Sequence, residues 1–131
     1  MKPIQAFGSR KQAKAHGVLS SGNGEVFING QRIDNVQPHY IQMKMKEPLI
    51  LAGKDAQKVQ IKVRVAGGGI SGQAEATRLA IAKALVLFKK ELKETFLAYD
   101  RNLLVADVRQ RESRKPNTQG KARSKRQKSY R

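Results

Sequence analysis

Between Lys58 and Val65, apolar and polar residues alternate without a break: Val59, Ile61, Val63 and Val65 share one parity, and Lys58, Gln60, Lys62 and Arg64 the other. The alternation predicts a strand with one buried face and one wet, basic face. Strands of a sheet covered on both sides are apolar on both faces, so this pattern points to an antiparallel or mixed sheet covered on one side. After Gly67-Gly68-Gly69 the period changes. Ala74, Ile81, Leu85, Phe88 and Leu92 fall on one stripe, which predicts a helix from about Gly72 to Phe88 or beyond, lying across the sheet. Arg78 sits at the edge of that stripe, where its stem can pack while its guanidinium reaches solvent or phosphate.

The first part of the chain reads as short strands separated by glycine. Ile4 to Ser9 and Lys11 to Leu19 alternate small or apolar residues with polar ones, and Ser20-Ser21-Gly22-Asn23-Gly24 is a turn. Val26 and Ile28 share a strand face, ended by Asn29-Gly30, residue types that accept positive φ. Asp34 or Asn35 is placed to cap a short helix carrying Val36, Tyr40 and Met43, with Pro38 in its first turn, and a second short segment begins near Glu47-Pro48. Leu103, Leu104 and Val105 form a last apolar anchor.

At 131 residues the chain is the size of one domain. Charge divides it in two. Residues 109–131 hold ten Lys and Arg against the single acid Glu112, and Ala122 and Tyr130 are their only apolar side chains. Such a segment cannot bury enough surface to offset the entropy of ordering it. A core of residues 1–108 and an extended basic tail of 109–131 are therefore expected. The formal net charge of +17 exceeds what solubility needs and calls for a polyanionic partner, with nucleic acid ahead of an acidic membrane. The absence of cysteine excludes disulfides and thiolate zinc sites. No apolar run of bilayer-spanning length or secretory-signal type is present, so a soluble, intracellular protein is expected.

Enzyme readings are thin. Gly67, Gly69 and Gly72 match a dinucleotide-binding fingerprint between a strand and a helix, but no alternating series of strands and helices follows. Read as a phosphate loop, the segment puts Gln73 and Ala74 where the lysine and the magnesium-binding hydroxyl belong. The glycines fit better a close backbone approach, to a neighbouring strand or to an RNA phosphate at the helix N-terminus. His16 and His39 have no ligand partners at metal spacing, and Asp100 and Asp107, near Arg101 and Arg109, read as ion-pair partners. No catalytic residue, metal, cofactor or small-molecule substrate is expected. The run Lys121 to Lys128 also reads as a nuclear import signal. The aromatic residues Phe7, Phe27, Tyr40, Phe88, Phe96, Tyr99 and Tyr130 are few and sit mostly at apparent core positions, which favours recognition of RNA backbone and shape over base stacking.

Specific strings go further. Gly8-Ser9-Arg10-Lys11-Gln12-Ala13-Lys14-Ala15, Phe27-Ile28-Asn29-Gly30, Gly67 to Gly69 with Gly72 to Leu85, and Tyr99-Asp100-Arg101-Asn102-Leu103-Leu104 resemble, in order, the signature of the universal small-subunit ribosomal protein nine family. The ending Gln127-Lys128-Ser129-Tyr130-Arg131 resembles its archaeal and eukaryotic branch. Val108 stands where that family usually has proline. The resemblance implies an α+β fold, a four-stranded mixed sheet with helices on one face, like the second domain of small-subunit protein five. It implies a place in the subunit head among neighbouring ribosomal proteins, in the cytoplasm, with nucleolar assembly if the source is eukaryotic. It also implies a tail tip approaching the anticodon stem-loop of peptidyl-site transfer RNA, with Arg131, Tyr130 and Lys128 as the contacts. Ribosomal RNA would meet the tail through Arg109, Arg111, Arg114, Lys115, Lys121, Arg123, Lys125 and Arg126. It would meet the core through Arg10, Lys11, Lys14, Lys62, Arg64, Arg78 and the backbone at Gly68 and Gly69. A free-standing nucleic-acid chaperone and a nucleotide-dependent enzyme are the rival readings.

Overall fold

The strand alternation is realised in full in the computed structural model, which describes residues 2–118 and 120–123. β1 (Ile4–Arg10) and β2 (Ala13–Ser21) form an antiparallel hairpin closed by Lys11-Gln12, and β2 pairs antiparallel with β5 (Val59–Ala66). β3 (Val26–Ile28) runs parallel to β5 and carries the short edge strand β4 (Gln31–Arg32), giving the order β1-β2-β5-β3-β4. The sheet is mixed, as expected, but has five strands where the resemblance implied four. The fifth is only two residues long, too short to show an alternation.

Among the described residues there are three α-helices: α1 (His39–Ala52), between β4 and β5, then α2 (Ile70–Phe88) and α3 (Leu92–Tyr99) after β5. α2 lies chiefly on β1 and β2, and α1 packs beside it. The sheet residues that meet them are Ala6 and Gly8, Ala13, Ala15, Gly17 and Leu19, Val26 and Ile28, and the four β5 residues of the predicted apolar parity, all buried. The close fit of α2 depends on Gly8: a Cβ there would stand 2.2 Å from the carbonyl oxygen of Ala76 and 2.7 Å from the nitrogen of Ala80. Only a residue without a side chain lets helix and strand approach so far.

Four expectations are corrected. The predicted stripe of Val36, Tyr40 and Met43 is out of phase: Tyr40 and Met43 are exposed, and α1 buries Ile41, Met45, Pro48 and Ala52. Tyr40 is amphipathic, and a two-residue repeat of apolar types across a proline does not fix which phase faces inward. No helix begins at Glu47-Pro48 either, because Pro48 lies inside α1 with its side chain fully buried. The predicted α2 stripe ends at Phe88, since Leu92 opens the separate helix α3. The aromatic residues are not mostly in the core. Among the described residues Phe96 alone of the aromatics is fully buried, while Phe7, Tyr40 and Tyr99 are exposed by 63%, 65% and 56%. Of the last apolar anchor, Leu103 is buried and Val105 exposed. Residues 106–118 contain no helix or strand and are mostly exposed.

Candidate nucleic-acid interface

The charges sort by face. No residue of any strand is acidic, so the side of the sheet turned away from the helices carries Lys14, Lys62, Arg64 and Arg32 without a carboxylate from its own strands. The register aligns these groups: His16 pairs with Arg64 and Val18 with Lys62 across β2 and β5, and Phe27 pairs with Lys62 and with Arg32. None of the four cations has an ion-pair partner among the described residues. A shallow groove on this face is lined by His16, Val18, Phe27, Lys62 and Arg64.

On the helix side four carboxylates, Glu47, Glu75, Asp100 and Asp107, collect and are matched. Arg10, at the end of β1, donates from Nε to Glu75 of α2, and its Nη1 lies 3.2 Å from Asp107. Lys44 of α1 donates to the other Glu75 oxygen at 2.9 Å. Arg78 donates to Glu47 at 2.6 Å and to Asp100 at 3.0 Å, with its side chain only 11% exposed. Its stem packs as expected, but its guanidinium is held inside the protein instead of reaching solvent.

These contacts set the carboxylate titrations. Burial pushes the Glu75 carboxyl up, and hydrogen bonds from Lys44 and Arg10 more than offset it, leaving the group below its ordinary value. The backbone N–H of Asn102, aided by Arg78, lowers Asp100. The side chain and backbone N–H of Arg109, with the charge of Arg10 behind them, hold Asp107 well below the usual carboxylate range.

A third region lies where β5 turns into α2. Gly67 and Gly68 have φ of 81° and 66°, and a Cβ on Gly67 would stand 2.6 Å from the carbonyl oxygen of Gln12. Of the two approaches open to these glycines, Gly67 and Gly68 make the one to a neighbouring strand, at the β1–β2 hairpin. A Cβ on Gly69 would meet no protein atom within 4 Å. The groove here is lined by Lys11, Gly69, Ser71, Gly72, Arg109 and Arg111, so the first turn of α2 opens among cations. Unpaired backbone N–H groups at a helix start, with basic side chains around them, suit an anionic oxygen.

In the tail, Glu112 draws in Lys115 and Arg123, while Arg111, Arg114 and Lys121 have no ion pair among the described residues. Lys125, Arg126, Lys128, Tyr130 and Arg131 lie outside the described residues. His16 is half-buried against Phe7, and His39 bonds to Gln42. Among the described residues no group of three or more His, Asp or Glu is placed to hold a metal ion, and no helix is long and apolar enough to cross a membrane. The exposed Phe7 and the free cation Lys83 were missed in the sequence: Phe7 shares its strand with buried residues, and Lys83 sits on a helix otherwise rich in alanine and leucine.

Residues 8–131 match the family described as ribosomal protein S9/S16. The chain is 46% identical over 134 residues to the small ribosomal subunit protein uS9 of Methanococcus maripaludis, with all of both chains covered. It is 44% identical over 134 residues to that of Methanococcus vannielii, again over all of both chains. Similarity to the uS9 protein of Caenorhabditis elegans is 43% identity over 141 residues, covering all of this chain and 97% of the other.

Proposed function

Since the chain belongs to the ribosomal protein S9/S16 family, and is thus a structural constituent of the small ribosomal subunit and not an enzyme, we propose that it binds ribosomal RNA by phosphate neutralisation through three basic regions. These are the open sheet face, the groove at the start of α2, and the tail. The observation that carries this reading is the segregation of charge. Asp100, Asp107, Glu47 and Glu75 are spent on Arg10, Lys44, Arg78 and Arg109, while Lys11, Lys14, Lys62, Arg64, Arg111 and Arg114 are left for an external anion. Each phosphate they neutralise releases condensed counterions, which makes binding strong and salt-sensitive.

Arg10 and Arg78 take a supporting part in this scheme. They fasten α1, α2 and the start of the tail to β1 and so fix where the free cations lie. The Gly69 backbone and the first turn of α2 accept a phosphate, with Lys11 and Arg111 free beside it and Arg109, paired to Asp107, at the rim. Lys115, Lys121, Arg123, Lys125 and Arg126 continue the contact with ribosomal RNA. The tail tip, Lys128, Tyr130 and Arg131, approaches the anticodon stem-loop of peptidyl-site transfer RNA in the subunit head, a reading supported by family membership and by the basic ending. The protein works in the cytoplasm as part of the small subunit.

Sedimentation of cell extract through a sucrose gradient in high salt tests the reading. The chain should travel with the small subunit and be released only when the RNA is digested. Recovery at the top of the gradient with RNA intact would reject it.

A further inference from the structure

On the open sheet face Phe7 of β1 stacks on His16 of β2, with ring centroids 4.7 Å apart and planes 16° from parallel. Arg64 of β5 is the next residue in the same cross-strand row. The rings therefore stand on end across the sheet as a column, phenyl then imidazole, with a guanidinium position beyond. β1 is an edge strand, so no strand lies past Phe7 to cover its outer side, and the residue is 63% exposed. The outer face of the ring is thus open to a partner from outside the protein. Beside it is a hollow lined by Phe7, Gly8, Ser9, Lys14, Ala15 and Lys83. Lys14 and Lys83 have no ion pair among the described residues.

We infer that this edge is a stacking site for one unpaired nucleobase of RNA, with the base on the outer face of Phe7 and its flanking phosphates on Lys14 and Lys83. The inference rests on the RNA-binding reading above and adds a base contact to it. Charge selects the occupant. A protein surface with an apolar patch would cover Phe7 but leave two lysines facing it, whereas a nucleotide supplies a π face and an anion within one residue. His16 has a positioning part: its ring backs Phe7 and keeps the phenyl upright. The site is tolerant of base identity, because stacking reads a π face that every base has, while Lys14 and Lys83 are taken up by the flanking phosphates.

The test uses the full chain and a single-stranded RNA octamer substituted with 5-iodouridine, irradiated and mapped by mass spectrometry, with an abasic ribose-phosphate octamer as the control. The wild type and Phe7→Tyr should give an adduct on the peptide containing residue 7 or His16. Phe7→Leu should lose that adduct, keep the wild-type melting temperature and bind the abasic octamer as the wild type does. Adducts confined to tail peptides, or an adduct at His16 undiminished in Phe7→Leu, would overturn the stacking site and leave RNA binding standing. Failure of the wild type to bind either octamer at low salt would instead reject RNA binding itself. In purified small subunits, a cross-link from Lys14 to a neighbouring protein with no RNA adduct at Phe7 would also overturn the inference.

Discussion

Arg10 and Asp107 meet at 3.2 Å although one ends the first strand and the other precedes the tail. Arg10 also holds Glu75 of α2, and Asp107 is gripped by Arg109 through both side chain and backbone. The pair thus joins strand, helix and tail exit at one point. Asp107→Asn should loosen that exit. Limited trypsin digestion should cleave at Arg109 and Arg111 faster in the variant, with a small drop in melting temperature at neutral pH. Unchanged cleavage rates would show that the pair does not restrain the tail.

The same network predicts an acid response. Glu75, Asp100 and Asp107 all have folded-state values below their ordinary ones of 4.5, 3.8 and 3.8. A carboxylate lowered on folding adds stability that is fully present above its unfolded value and is lost as pH falls through the folded one. Melting temperature should be flat with respect to these groups above about pH 5 and should decline below about pH 4.5. A Glu75→Gln, Asp107→Asn double variant should start lower at neutral pH and show a shallower decline. An equal decline in both proteins would assign acid sensitivity to other groups.

Gly8 tests the helix–sheet contact. Gly8→Ala places a methyl against backbone atoms of Ala76 and Ala80, which cannot rotate away. Destabilisation of about 1–3 kcal/mol is expected from overpacking, read as a lower urea midpoint with an unchanged slope. A variant as stable as the wild type would mean that α2 shifts at little cost.

The sheet's wet face is separable from the fold. Lys62→Gln with Arg64→Gln removes two exposed cations and no ion pair among the described residues. Stability should change little. The dependence of log affinity for RNA on log salt should become shallower by about 1.4–1.8, the value for two phosphate contacts. An unchanged slope would remove this face from the RNA-binding surface.

Much of the fold was legible because β5 buries one face at a clear period and part of the buried surface of α2 recurs at helical spacing, although α2 also buries Ala76, Leu79, Ala80 and Ala84 beyond the predicted stripe. The valines of β5 and Ala74, Ile81 and Leu85 of α2 are core residues as their spacing predicts. α1 was harder to read, since its true stripe of Ile41, Met45, Pro48 and Ala52 runs through a proline that marks a helix start more often than a helix interior. The free cations Lys62 and Arg64 could be read from alternation alone. That Arg10 and Arg78 are held by Glu75, Asp107, Glu47 and Asp100 could not, because these partners come from different elements and meet only after folding. Phe7 falls on the wet parity of β1, opposite Ala6 and Gly8, but nothing in its neighbours reveals that β1 lies at the sheet edge.

The most direct test of the account is the salt dependence of binding to a small-subunit RNA fragment from the head, compared for the full chain and for a chain ending at Val108. Contact with ~6–10 phosphates would weaken full-chain binding by roughly 10³- to 10⁵-fold between about 50 and 200 mM salt. The shortened chain should unfold cooperatively with a melting temperature near that of the full chain, bind more weakly, and show a clearly shallower but still negative slope from the sheet face and the α2 groove. Affinity independent of salt, or a slope unaltered by loss of the tail, would contradict phosphate neutralisation by these regions.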